Sequence, residues 1–229
     1  MAVALSVIIP VLNEAQRIAA CIERVAAQGF DEVIVVDGGS TDGTADIVRR
    51  TGATLVDAPR GRGQQLNAGA RAASGDMLLF LHADVVLPDH AVSIARSTLA
   101  RDGVVAGAFR TWTVDDAAAA RWWAPLLHLA DVRSRYSGIP YGDQAMFMHT
   151  DVFFAAGGFP DVALMEDIAL SRRLRSFGRV LIARESVKVS GRRFLSAPIK
   201  QTLWVNLFPL LYAFGVSPRT LTRLYGDPR

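Results

Sequence analysis

Four polar clusters in this 229-residue chain combine residue types that handle phosphate, sugar and metal. The first is Pro10-Val11-Leu12-Asn13-Glu14. The second runs from Asp37 through Gly38, Gly39, Ser40 and Thr41 to Asp42-Gly43-Thr44. The third, His82-Ala83-Asp84, directly follows an apolar run at 77–81, and the fourth is Glu166-Asp167. Asp37 can accept a hydrogen bond from a base imide N–H or a ribose hydroxyl, and the glycines behind it let a ligand approach the backbone closely. The same Asp-Gly-Gly-Ser run also suits an ordinary strand-to-helix turn. Asp84, with His82 beside it, can hold a divalent cation against a diphosphate. Mg2+ and Mn2+ use few protein carboxylates and fill their shells from phosphate and water, and an imidazole ligand shifts the preference toward Mn2+. Alternatively, Asp84 caps a turn ahead of Pro88 and His82 packs on a sheet. Glu166-Asp167 reads either as caps at a helix N-terminus or as a general base for an attacking hydroxyl. Arg62, Arg172, Arg192 and Arg193 are candidate diphosphate contacts, and each is also readable as a solvated surface charge.

Standard phosphate motifs fail. Gly61-Arg62-Gly63-Gln64-Gln65-Leu66 has Leu where a dinucleotide fingerprint needs its third Gly, and no Gly-Lys-Ser/Thr occurs. Hydride transfer on that fingerprint and P-loop hydrolysis drop out.

These clusters need elements to position them. Short β-branched apolar runs at 5–11 and 32–36 predict strands covered on both faces. Further strands are expected at 53–56 and 77–81, with helices at 14–28, 42–52, 64–73 and 88–100. That alternation argues for a parallel sheet wrapped by helices. Beyond residue 100 the rhythm changes: strands at 104–114, 145–148 and 180–189, and helices at 117–135 and 166–177. In open α/β sheets ligands sit beyond the carboxyl ends of strands, where the polar clusters fall.

Hydrophobic residues make up 51% of the chain and charged residues 21%, which fits a chain with a substantial core and excludes wholesale disorder. The net charge of +3 hides an asymmetry. Residues 1–171 hold 13 basic and 20 acidic side chains, whereas residues 172–229 hold 12 and 2. The basic end should seek phosphate, anionic lipid or another acidic partner. No zinc-finger or aromatic RNA-binding signature accompanies it, so nucleic acid is not the expected partner. Cys21 is the only cysteine, which excludes an intrachain disulfide and a thiolate metal cluster. The opening apolar run stops at Asn13-Glu14 with no Lys or Arg ahead of it and no cleavage site behind. It reads as a buried strand rather than a signal peptide. The longest apolar stretch, 203–216, is interrupted by Asn206 and Pro209 and is too short to span a bilayer. A cytoplasmic protein, soluble or peripheral at the inner face of a membrane, is expected.

In their order, the clusters resemble the family 2 inverting glycosyltransferases of GT-A fold. Val7-Ile8-Ile9-Pro10 with Asn13-Glu14 is similar to that family's opening strand. Glu32-Val33-Ile34-Val35-Val36-Asp37 and Ser40–Thr44 are similar to its nucleotide-binding strand and loop. Gly61-Arg62-Gly63 with Asn67 and Gly69, then Ala73-Ser74-Gly75-Asp76, resemble the segment before its metal motif. Gly157-Gly158-Phe159 and Glu166-Asp167, with Arg173-Leu174 and Gly178, resemble its acceptor side. The chain departs from the pattern at the metal motif, where the usual Asp-any-Asp is His82-Ala83-Asp84. Within the family, Phe80–Asp84 and Pro140-Tyr141-Gly142-Asp143-Gln144 resemble a bacterial arsenosugar-biosynthesis-type, or radical-SAM/selenodomain-associated, subgroup.

The resemblance implies a Rossmann-like GT-A domain over 1–195, with a nucleotide-binding half to about residue 100, and a basic amphipathic tail at 196–229. It implies transfer of a sugar from a nucleotide diphosphate sugar, with UDP favoured, to an unidentified hydroxyl acceptor. Asp37 and Glu14 would hold the nucleoside, and Pro10, Asn13, Gly39, Arg62, Arg192 and Arg193 would join them in binding the nucleotide sugar. Asp84, with His82, would hold Mn2+ or Mg2+; Asp167 would be the base with Glu166 beside it; Asp143 and Gln144 would face donor sugar or acceptor. Two rivals stay open. A sugar-nucleotide-forming nucleotidyltransferase usually opens with a Gly- and Arg-containing loop, which Val11–Ala15 lacks. A degenerate nucleotide-binding or membrane-docking non-enzyme would accommodate His82. The tail is expected at a membrane surface or in a homodimer contact.

Overall fold

A computed structural model of the chain describes residues 3–114, 128, 131, 132, 134, 138–191 and 198–225. One eight-stranded sheet organises them, in the order β3-β2-β1-β4-β7-β6-β8-β5. β1 (Leu5–Val11) lies at the centre of a parallel half, between β2 (Glu32–Asp37) and β4 (Met77–Phe80), with β3 (Thr54–Asp57) outside β2. Direction then reverses. β7 (Phe147–His149) runs antiparallel to both β4 and β6 (Val104–Val114), and β6 runs parallel to β8 (Arg179–Ser190). A two-residue β5 (Val85–Val86) pairs antiparallel with the end of β8. The sheet is the α/β architecture expected of a GT-A fold.

Both faces of this sheet are covered, which is why its strands read as continuous apolar runs rather than alternating ones. Leu5, Val7, Ile9 and Val11 pack with Ile18, Ile22 and Val25 of α1 (Ile18–Ala26) and with Ala91, Val92, Ala95 and Leu99 of α4 (Ala91–Leu99). Ile8, Ile34, Val36, Leu78 and Phe80 face the other way, onto Leu66 and Ala70 of α3 (Arg62–Ala72). Phe153 of α5 (Thr150–Ala155) and Leu170 and Leu174 of α6 (Glu166–Leu174) join that second cluster. Each fully buried side chain of this size stabilises the fold by about 1.5–3 kcal/mol. Helix α3 lies unusually close to the sheet because residue 69 is glycine: a Cβ there would collide with Ile8 Cγ2 and lie 2.9 Å from Val36 Cγ2.

Several boundaries differ from the sequence expectation, for identifiable reasons. The helix expected from residue 14 starts at Ile18. The N–H groups of Asn13, Glu14 and Ala15 are spent on Ser40 Oγ, Thr44 Oγ1 and Asp42 Oδ2, at 2.8, 2.9 and 3.0 Å. Similarly, α2 (Thr44–Arg49) starts two residues later than expected, behind a left-handed Gly43, and α4 starts behind a left-handed His90. The strand expected at 145–148 begins at Phe147, after a 3-10 turn at Gly142–Gln144 and a left-handed Ala145. Of the helix expected at 117–135, residues 128, 131, 132 and 134 are helical and the rest lie outside the described residues, as do Arg192 and Arg193. The last two described elements are α7 (Pro198–Ala213) and α8 (Pro218–Tyr225). Phe208 and Leu221 of these helices bury against Leu164, with Met165, Trp204, Leu211 and Tyr212 packed around them. Among the described residues, no helix is long and apolar enough to cross a membrane.

Candidate active site

The carboxyl ends of the parallel strands β1, β2 and β4 point to one edge of the sheet, and the loops there are tied together by side chains. The loop after β1 and the loop after β2 form a reciprocal pair. Ser40 Oγ accepts from Asn13 N–H, and Asn13 Oδ1 accepts from Thr41 N–H at 2.9 Å. Asn13 adopts a left-handed backbone (φ 55°) to make this possible. Asp37 is buried, and its carboxylate is turned into its own loop. It accepts the N–H groups of Gly39 and Ser40, at 3.2 and 2.9 Å, and the Ser40 hydroxyl. Pro10 sits in β1 opposite Val36, and Glu14 pairs with Arg17 at 3.4 Å.

The first turn of α3 connects this loop pair to a second group of residues. Gln65 is buried, and its Nε2 donates to Val11 O at 2.8 Å and to Val36 O at 3.0 Å, which joins the ends of β1 and β2. Three residues earlier, on the same helix face, Arg62 Nη1 pairs with Glu166 Oε1 at 3.1 Å. The Glu166 side chain is 1% exposed, and among the described residues its Oε2 has no hydrogen-bond partner. Burial pushes its pKa up from the ordinary 4.5; Arg62 opposes this and the neighbouring Asp167 adds to it.

Asp167 Oδ2 accepts the Gly142 N–H at 2.6 Å, and Oδ1 accepts the Ile168 N–H at 2.7 Å. Capping therefore accounts for part of Asp167. Gly142 leaves this point open: a Cβ there would lie 3.1 Å from His82 Nε2 and 3.3 Å from Asp167 Oδ2, tight enough that one of those side chains would have to yield. The imidazole and the carboxylate thus border the same gap. Arg62, His82, Glu166, Asp167 and Gly142 line one cleft, with an apolar wall of Leu66, Phe80, Met146 and Phe159. Phe80 and Phe159 meet edge to face at 5.0 Å, which stiffens that wall. Of the four non-glycine residues with left-handed backbone among the described residues, three (Asn13, Ala145 and Met165) flank these loops. Such strain persists where surrounding contacts over-determine the geometry, as at functional sites.

His82 and Asp84 follow β4 and are half-buried, while Leu81, Ala83 and Val85 between and beside them are buried. His82 lines the cleft, and Val85 N–H donates to its carbonyl at 3.0 Å, which closes the turn that carries Asp84. Ser190 N–H donates to Asp84 O at 3.3 Å, which brings the end of β8 to the motif. Among the described residues no three His, Cys, Asp or Glu side chains converge. A divalent ion at Asp84, with His82 beside it, would thus take most of its ligands from phosphate and water, as Mg2+ and Mn2+ do. The donor set fits such an ion. Burial pushes the Cys21 thiol up to about 11; Arg24 opposes it, and Asp84 and Glu14 reinforce it, so charges from two of these loops reach one point.

Other expected contacts lie elsewhere. Gln144 is fully buried, and its amide serves the backbone: Nε2 donates to Phe109 O at 2.7 Å and Oε1 accepts from Tyr141 N–H at 2.9 Å. It shapes the turn that presents Gly142 rather than facing a sugar. Asp143 is half-buried in that turn. Gly39, left-handed and exposed, sits in the loop that Asp37 holds. Arg172 stacks over Tyr212, 5.1 Å from the ring centroid, away from the cleft. Gln65 and the Gly142 N–H were not singled out by sequence. A buried Gln in a helix carries no pattern, and a backbone donor carries no side-chain signal.

Comparison with known proteins agrees with this architecture. The description of Glycosyl transferase family 2 matches residues 6–154. A PGL/p-HBAD biosynthesis glycosyltransferase of Mycobacterium bovis is 42% identical over 88 residues, covering 34% of this chain and 34% of that protein. The chain spans about a third of the length of such curated relatives. Among solved structures, a mannosyltransferase from Pyrobaculum calidifontis in complex with GDP-Man and Mn2+ is similar at TM-score 0.66 and 24% identity, covering 81% of this chain and 56% of that one. Glucosyl-3-phosphoglycerate synthase from Mycobacterium tuberculosis, in complex with Mn2+, UDP and phosphoglyceric acid, is similar at TM-score 0.60 and 20% identity, covering 94% and 80%. At these identities the structural likeness establishes the fold.

Proposed function

The chain belongs to glycosyltransferase family 2, and we propose that it moves a sugar from a nucleotide diphosphate sugar to a hydroxyl acceptor with inversion at the anomeric carbon. One convergence carries this reading: the first turn of α3 ties the two loops after β1 and β2 to a cleft that Arg62, His82, Glu166 and Asp167 share. The nucleoside lies over Pro10, Asn13, Glu14, Asp37 and Gly39, and Arg62 turns toward the diphosphate. Asp84, with His82 beside it, would hold Mn2+ or Mg2+, and the ion would stabilise the negative charge that grows on the departing diphosphate. UDP is the nucleotide favoured by the family resemblance, and the synthase and mannosyltransferase structures, which hold UDP or GDP-Man with Mn2+, support a nucleotide-sugar donor. The finer subgroup resemblance rests on the Phe80–Asp84 and Pro140–Gln144 stretches alone.

In the transfer step the acceptor oxygen bonds to the anomeric carbon from the face opposite the diphosphate. The bond from that carbon to the diphosphate oxygen breaks, and its electron pair leaves with the diphosphate. The hydroxyl proton passes to Asp167, whose oxygens each keep a second lone pair beyond the Gly142 and Ile168 N–H groups. Glu166, buried behind it, fixes Arg62. Holding both substrates in line supplies much of the acceleration.

Asp167→Asn tests the base. An Asn side-chain oxygen can still accept the Gly142 N–H but its NH2 cannot accept the Ile168 N–H, so melting temperature should fall modestly while donor binding stays near wild type. The transfer rate should fall about 10²–10⁴-fold, the usual loss for general base catalysis. Near-normal transfer would move the base to Glu166 or Asp143.

A further inference from the structure

Helix α7 has the sequence PIKQTLWVNLFPLLYA, with apolar residues on all sides and Pro209 within it. A helix that is apolar all round belongs in a core or against a membrane, yet only one side of this one is covered. Phe208, Trp204, Leu211 and Tyr212 pack toward Leu164, Met165 and Leu221. Leu203, Leu207, Leu210 and Phe214 are 61%, 41%, 56% and 86% exposed. Their spacing places them on one stripe, with the exposed Lys200 at its head. α8 adds an exposed Leu224 and the exposed Arg219 and Arg223. Between Glu185 and Asp227 the sequence contains no carboxylate side chain, while Lys188, Arg192, Arg193, Lys200, Arg219 and Arg223 fall in that interval.

We propose that the Leu203–Leu207–Leu210–Phe214 stripe docks on an anionic lipid surface, with α7 lying in the interfacial plane and the basic residues at its ends meeting lipid headgroups. Sixteen residues of helix span about 24 Å, short of the roughly 30 Å hydrocarbon layer, so the helix lies on the bilayer rather than through it. Charge selects lipid over a second copy of the chain. An isologous pairing through this stripe sets basic flank against basic flank in either orientation, because both ends are basic. An anionic leaflet satisfies the apolar stripe and the flanks together. The covered side of the same helix rests on Leu164 and Met165, the two residues before Glu166-Asp167. Docking therefore sets the cleft one helix away from the lipid surface. The docking does not depend on the sugar-transfer reading.

Co-sedimentation of the full chain with vesicles of equimolar phosphatidylcholine and phosphatidylglycerol, and with phosphatidylcholine alone, is the test. Binding is expected to the first at low salt, with loss as salt rises, and not to the second. Leu207→Ser/Leu210→Ser and Arg219→Gln/Arg223→Gln should each weaken it by about tenfold or more. Because these side chains lie outside the packed set, melting temperature and nucleotide binding should be unchanged, which separates failure here from failure of the transfer reading. No pelleting with the anionic vesicles, pelleting that neither double variant reduces, or a dimer by light scattering that the leucine variant abolishes without any vesicle binding would each overturn the proposal.

Discussion

Arg62→Met should reveal how much of the cleft depends on one ion pair. Glu166 is 1% exposed, its Oε1 is matched to Arg62 at 3.1 Å, and among the described residues its Oε2 has no hydrogen-bond partner. At that separation and an effective dielectric near 20, the pair attracts by about 5 kcal/mol before desolvation is counted. Breaking a buried pair by removing one partner costs about 3–5 kcal/mol. The 27% exposure of Arg62 favours the lower end, about 3 kcal/mol at neutral pH. In a Glu166→Gln background the stranded carboxylate is gone, so the same substitution should cost less than about 1 kcal/mol, a coupling of about 2 kcal/mol. The pH dependence has a definite sign. The folded-state pKa of Glu166 is raised above 4.5, chiefly by burial, so its contribution is complete below that value and is lost as pH rises through the folded value. Arg62 opposes that rise, and removing it extends the loss to higher pH. The cost of Arg62→Met should therefore be small near pH 4.5 and grow toward neutrality. Urea melts of the four proteins at acid and neutral pH measure all of this. Additive costs within about 0.5 kcal/mol, or a cost independent of pH, would refute the reasoning.

Asp84→Asn should weaken Mn2+-dependent binding of a nucleoside diphosphate while leaving the free nucleoside nearly unchanged; calorimetry with metal present measures it, and equal diphosphate affinity in both proteins would remove Asp84 from the metal site. Gln65→Ala removes the side-chain donor from Val36 O and from Val11 O, which keeps the Gly38 N–H, and should cost about 0.5–1.5 kcal/mol. Nucleoside binding should fall with it, since the strand ends lose their side-chain tie to α3; denaturation with a parallel binding titration reads the two effects.

The parallel half of the sheet was legible because its strands are buried on both faces and separated by amphipathic helices, so the runs at 5–11, 32–36 and 77–81 stand out. What the sequence concealed was reversal. Phe147–His149 is three residues long and antiparallel to both neighbours, and Val85–Val86 is shorter still, too short to show a period of two. Helix starts were misplaced where side chains capture backbone N–H groups across loops, as Ser40, Asp42 and Thr44 do for residues 13–15. In the site, the carboxylates Asp37, Asp84, Glu166 and Asp167 were visible as residue types at strand and helix ends. Which of them face a common space was not, because that depends on Gln65, Gly142 and the buried Gln144, whose work is done with backbone groups.

That distinction bears on how the two adjacent carboxylates divide their labour. Consecutive residues in the first turn of a helix point about 100° apart, so Glu166 and Asp167 cannot serve one function in one place. Glu166 points into the protein, where Arg62 meets it and water does not. Asp167 points to the gap beside Gly142 and His82, where a Cβ would crowd both side chains. For the proposed transfer, Asp167, which borders that gap, is the better placed of the two, because Glu166 is already paired with a guanidinium. The left-handed Met165 just before them sets the helix entry, and its side chain packs against the C-terminal helices. The orientation of both carboxylates is thus fixed from two sides: by α3 through Arg62, and by α7 and α8 through Leu164 and Met165. The C-terminal helices thus pack on the residue that leads directly into Glu166 and Asp167.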